Sequence, residues 1–188
     1  MASGRTHEAI NLGVFAALAG GYAYARARSL ADPTNLLFAP ETLWAFVLSY
    51  LIGTFFITPD LDLAENRMRA RNNWGLLGLL WVPYGALFSH RGLSHTWFVG
   101  PLTRLLYLVL LALALGWAAS EIAPHFGYRV GFEAEVGESW PQLLVGSLAG
   151  YYLSQWLHLI ADGIQPDHAW RRKGARTRGR KRRRRSPS

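Results

Sequence analysis

Cysteine is absent from the 188 residues, which excludes disulfides and thiolate-bound metals and leaves the redox compartment open. Charge is also scarce: 17% of residues are charged against 51% hydrophobic, a light polar coat for a soluble protein of one-domain length. The last stretch holds no acid at all. From Arg171 to Ser188 there are 11 Lys or Arg, so residues 1–170 carry 9 basic and 12 acidic side chains and a net charge of −3. The formal +8 of the whole chain therefore belongs to its tail. The N-terminus has no basic region followed by a small-residue cleavage pattern, so it does not read as a removable signal peptide.

What is present is a series of apolar runs. Residues 9–25, 42–59, 72–90, 105–120 and 140–161 are free of Lys, Arg, Asp and Glu, and each approaches the length needed to cross about 30 Å of hydrocarbon. The run 105–120 is the most aliphatic, whereas 72–90 is interrupted by Pro83 and several glycines. Trp44, Trp74, Trp97, Trp117 and Trp140 lie near run ends, as interfacial anchors do. The expected fold class is all-α, a polytopic helical membrane protein with about four spanning helices plus one interfacial or re-entrant segment. Residues 1–170 form the membrane-embedded domain in this reading, and 171–188 a disordered polybasic tail. The alternative is a soluble helical protein with unusually apolar helices, which is difficult to build in so short a chain because most helices would need a polar face.

Metal-ligand residue types gather at the ends of these runs: His7, then Asp60 and Asp62 after Pro59, then His90 and His95 around Arg91-Gly92-Leu93-Ser94, then His158 with Asp162. Imidazole nitrogens with carboxylate oxygens suit zinc first, with manganese or iron as alternatives, and the set is large enough for one ion or two. His158 and Asp162 are four apart and share a helix face, so both could bind a metal, or Asp162 could orient His158. His90 and His95 would meet only across a turn, for which Gly92 gives freedom and Ser94 a cap. Thr6 or Ser3 could cap the helix that carries His7. Each group also has a plainer reading as a helix terminus or interfacial loop. Asp167 and His168 repeat the residue types beside the tail and read as exposed or auxiliary.

Counting crossings turns the scattered set into a geometric expectation. If 72–90 does not span, His7, the Asp60/Asp62 turn, His90/His95 and His158/Asp162 all finish on one side of the membrane; if it spans, His90 and His95 are carried away by a bilayer thickness. Pro83 and the glycines favour the first arrangement. The basic tail with Arg5, Arg67, Arg69, Arg71 and Arg91 places that side in the cytoplasm, with Glu121, Glu133, Glu135 and Glu138 outward, although Arg26, Arg28 and Arg129 pull mildly the other way.

The Pro-Asp-Leu-Asp turn, the His-Arg-Gly-Leu-Ser-His stretch, His7 and His158-Leu-Ile-Ala-Asp162 together resemble the DUF2227 group of uncharacterised bacterial metal-binding proteins, and more broadly the YdjM-related inner-membrane metal-dependent hydrolases. The resemblance covers roughly residues 4–168 and leaves the tail outside. It implies a multi-pass bacterial inner-membrane protein that binds a divalent metal and carries hydrolase-like residues. A subset of His7, Asp60, Asp62, His90, His95, His158 and Asp162 would hold the ion, Asp62 or Asp162 would act as general base where uncoordinated, and Arg91 would hold a substrate anion. A phosphate or ester at the membrane surface is the expected substrate; a non-catalytic metal-binding scaffold or small transporter is the alternative. Membrane lipids are the expected partners, with the tail drawn to anionic headgroups rather than to nucleic acid, for which no recognition fold accompanies the charge run.

Overall fold

The computed structural model describes residues 4–62, 73–87, 96–129, 131 and 137–164, with Asp60 and Asp62 described through their backbone alone. Every regular element among the described residues is helical. In chain order these are α1 (Gly4–Ala27), α2 (Pro40–Phe55), a 3-10 turn Pro59–Asp62, a 3-10 helix Gly75–Trp81 that runs into α3 (Val82–Leu87), α4 (Val99–Ile122) continued by a 3-10 turn Ala123–Phe126, and α5 (Trp140–Ala161). The polybasic tail lies outside the described residues.

Helices α2 and α5 form the most extensive pairing, and their sequences explain it. A Cβ on Gly146 would overlap the Thr42 carbonyl oxygen, and one on Gly150 the Phe46 carbonyl oxygen; at Gly53 it would overlap the Ser154 hydroxyl. Glycines spaced four apart on one face let the two backbones approach more closely than any larger side chain permits. Because Thr42 meets Gly146 while Gly53 meets Ser154, α2 and α5 run parallel. Helix α1 lies antiparallel to α5: His7 stacks on His158, and one turn further Asn11 donates to the Ser154 carbonyl at 3.4 Å. The Tyr50 hydroxyl donates to the Asn11 carbonyl at 2.8 Å and ties α2 into the same layer.

A second cluster fixes the region after α2. Ile57, Leu61, Trp81, Tyr84 and Tyr151 are buried together, with Tyr107 of α4 packed against them. The Tyr84 and Thr103 hydroxyls lie 3.0 Å apart, and the Tyr107 hydroxyl donates to the Leu80 carbonyl. Leu61 thus nails the Pro59–Asp62 turn onto an aromatic floor, leaving Asp60 and Asp62 at the register positions on either side of it.

Several expectations are corrected here. Among the described residues only one helix, Val99–Phe126, is long and apolar enough to cross a membrane, so four spans are not supported by length and composition. Helix α2 has 16 residues, about 24 Å of rise against about 30 Å of hydrocarbon. Helices α1 and α5 have the length, but Arg5, Glu8, Asn11 and Arg26 in the first, and Gln142, Ser154, Gln155 and His158 in the second, dilute their apolar character. Pro83 does not break a helix midway. It sits in the first turn of α3, where a missing N–H costs nothing, and the preceding 3-10 helix supplies the change of direction. Thr6 lies within α1 and not at its N-cap, and Ser3 lies outside the described residues. Beyond the anchoring expected of them, Trp74 and Trp97 tie segments together: their indole N–H groups donate to the Phe56 and Ile164 carbonyls at 2.8 and 3.1 Å.

Candidate metal centre

The end of α5 is set by its own sequence. Asp162 closes the helix with its N–H on the His158 carbonyl, and Gly163 follows with φ of 71°, a left-handed conformation that glycine adopts without Cβ strain. The Gly163 N–H then bonds the Ile160 carbonyl at 2.9 Å and the Ile164 N–H the Leu159 carbonyl at 2.9 Å, the paired bonds of a Schellman cap. Trp97 holds the Ile164 carbonyl from outside, and the Trp156 indole in turn donates to the Trp97 carbonyl at 2.9 Å. Asp162 is therefore presented from a clamped helix end, not from a fraying one.

Three of the expected residues converge at that end. The His7 Nε2 lies 3.3 Å from Asp162 Oδ1, and the His158 Nε2 lies 3.6 Å from Asp162 Oδ2. The two imidazoles stack with centroids 3.8 Å apart and planes 12° from parallel, so both rings address one carboxylate. Although the Asp162 backbone is partly open, its side chain is only 2% exposed, and the histidines are similarly enclosed. One ligand atom from each of the three residues falls within 4.8 Å of the others.

The donor set fits a divalent ion. Bonds of about 2.1 Å to zinc arranged tetrahedrally put neighbouring ligand atoms roughly 3.4 Å apart, close to the 3.3 and 3.6 Å separating the imidazoles from the carboxylate. Two imidazoles and one carboxylate leave a fourth position for water, for substrate, or for a further side chain. The chemistry is that of a borderline cation with nitrogen and oxygen ligands.

The Pro59–Asp62 turn packs at the same end. It contacts α5, and the Gln155 side-chain amide, one turn before His158, donates to the Ile57 carbonyl at 2.7 Å and the Gly53 carbonyl at 3.2 Å. This sets the backbone that carries Asp60 and Asp62 against α5, the helix that bears His158 and Asp162. His90, Arg91 and His95, with Gly92 and Ser94, lie outside the described residues, as do Asp167 and His168.

Sequence reasoning passed over three residues that the fold brings to this region. Asn11 is four positions after His7 and buried with it; Gln155 is three before His158 and fully buried; Arg104, at the edge of the most aliphatic run, is also fully buried. Helical offsets of three and four from the histidines were the available signal for the first two. For Arg104 the signal was an ionisable residue attached to an otherwise apolar helix.

Comparison with known proteins agrees with the chemistry. Residues 2–172 match the family model described as "Uncharacterized metal-binding protein (DUF2227)". A protein of Aquifex aeolicus (strain VF5), described as an uncharacterized protein, is 44% identical over 63 residues, a segment covering 34% of this chain and 43% of that relative. No solved structure matches the chain.

Proposed function

Since the chain belongs to the DUF2227 family of uncharacterized metal-binding proteins, we propose that it is a membrane-embedded divalent-metal hydrolase whose centre is built on His7, His158 and Asp162. The observation that carries the metal assignment is the enclosure of two stacked imidazoles against one carboxylate at tetrahedral spacing. Asp60 and Asp62 complete the set in this reading, on the strength of their turn's position beside α5. His90 and His95 are assigned as further donors from the sequence alone.

A bound zinc, manganese or iron ion would lower the pKa of water and polarise a phosphate or carboxylic ester. The chain's own groups do the remainder. His7 and His158 present imidazole nitrogens, Asp162 supplies a carboxylate carried on the capped helix end, and an Asp of the 60–62 turn that is not a ligand would serve as general base. Arg91 pairs with the substrate's anionic oxygens. A substrate presented at the level of lipid headgroups is consistent with large apolar side chains facing outward along α4 while His7, Asn11, Ser154 and His158 face inward.

Metal content of the purified full-length protein tests the reading. One or two equivalents of a divalent ion are expected, with His158→Ala and Asp162→Asn each lowering affinity at least tenfold. A protein that copurifies with none and takes up none on titration overturns the metal centre. Metal-dependent release of phosphate or alcohol from model esters is the expected activity; metal retention without turnover by any ester class would instead favour the scaffold.

A further inference from the structure

Arg104 stands in the second turn of α4, a helix whose remaining length is mostly leucine, valine and alanine with many of its large apolar side chains exposed, yet its own side chain is fully buried. Burying a guanidinium costs several kcal/mol unless its donors are well met, so its place in the hydrogen-bond network is informative. Arg104 Nη1 donates to Gln155 Oε1 at 3.0 Å. A guanidinium has donors only, so it fixes which end of the Gln155 amide turns toward it. The Gln155 Nε2 is thereby directed away, onto the Ile57 and Gly53 carbonyls at 2.7 and 3.2 Å. Gly53 is where a side chain would crowd that amide: a Cβ there would come within 3.2 Å of Gln155 Nε2.

The bonds form a relay across three elements. It begins on α4, passes through α5 one turn before His158, and ends on the carbonyl two residues ahead of Pro59 and the Asp60/Asp62 turn. We propose that Arg104 is a positioning residue of the metal centre, acting through Gln155 to set the Pro59–Asp62 turn against the His158 face of α5. The inference rests on the metal reading above and adds a residue to it. A lysine also has donors only, but its ammonium lacks the planar fork that holds the amide in one fixed geometry. Groups one shell removed from a metal commonly govern its affinity by about 10- to 100-fold.

The test uses full-length protein in detergent, titrated with Co(II) as a spectroscopic probe. Arg104→Lys keeps the charge and removes the fork. Gln155→Glu keeps an acceptor for Arg104 but replaces the Nε2 donor with an oxygen facing the Ile57 carbonyl. Both variants are expected to lower Co(II) affinity by about 10- to 100-fold and to shift its visible absorption bands, with the thermal midpoint of the metal-free protein little changed. Wild-type affinity and spectrum in either folded variant overturns the positioning role. So does failure of both variants to fold, which makes the relay a structural tie alone. If the wild-type protein binds no Co(II), the metal reading itself has failed, a result distinguishable from changes confined to the variants.

Discussion

At the scale of single residues, Gly163 has an influence beyond its size. Its positive φ lets the α5 cap form, and the cap decides where the Asp162 carboxylate sits. Replacing it with alanine forces a Cβ into a left-handed conformation at a cost of about 1–2 kcal/mol. Chemical denaturation should show Gly163→Ala destabilised by about that amount, and metal titration a weakened site, although the substituted side chain touches no ligand. The sequence displayed this stop openly, because a glycine after a helical Asp is a local signal. It displayed His158 and Asp162 for the same reason, since their spacing of four is fixed by one helix. The approach of His7 was not local. It depends on α1 lying antiparallel to α5, which no spacing within α1 encodes. Arg104 was harder still, since its meaning comes from the Gln155 amide on another helix.

Between elements, the glycines of α5 divide into consequences that can be measured separately from those of α1. Gly146 and Gly150 lie against α2 carbonyl oxygens, where backbone cannot yield as a flexible side chain can. Gly150→Leu should therefore destabilise by about 3 kcal/mol or prevent α2 and α5 from pairing. Gly21 in α1 has nothing within 4 Å of the space a Cβ would fill, so Gly21→Ala should be neutral or stabilise by about 0.5–1 kcal/mol. Thermal unfolding of the two variants beside wild type checks the contrast. The same contrast explains how far the helices could be read from composition. Their existence and approximate extents were visible in five apolar runs. Their number as membrane spans was not, because apolar run length counts residues without asking whether a buried polar face, such as Asn11 or Ser154 with His158, lowers the average. The 72–90 run was legible as exceptional, but its resolution into a 3-10 helix and a short helix opened by Pro83 was set by the Trp81, Tyr84 and Tyr107 packing.

For the whole molecule, the distribution of polarity matters more than its total. Trp117 and Leu113 on α4 are 68% and 65% exposed, whereas Arg104 on the same helix is fully buried. On the proposed embedding, a bilayer around α4 would make this arrangement favourable, and Leu113→Arg should then impair insertion by about 2.5–3.5 kcal/mol. Alkaline extraction of cell membranes provides the measurement: wild type should stay with the lipid and Leu113→Arg should partition partly into the soluble or aggregated fraction. Release of the wild-type protein by alkali would remove the embedded assignment. The tail belongs to this scale as well. Deleting Arg176–Ser188 should reduce binding of a tail peptide to vesicles containing anionic lipid, with a strong dependence on salt. Loss confined to RNA or DNA retention would point the tail at nucleic acid.

Among the described residues, His7 lies near the start of the first helix and Asp162 caps the last, so an ion bound between them would act as a clasp on the fold. Closing so long a loop is entropically expensive, and the contact becomes favourable only after most of the intervening helices have packed. During synthesis the pair cannot form until residue 162 has left the ribosome. Metal capture at this centre would consequently follow the packing of the helices between, and a chain that has acquired its ion would be one whose described helices have already assembled.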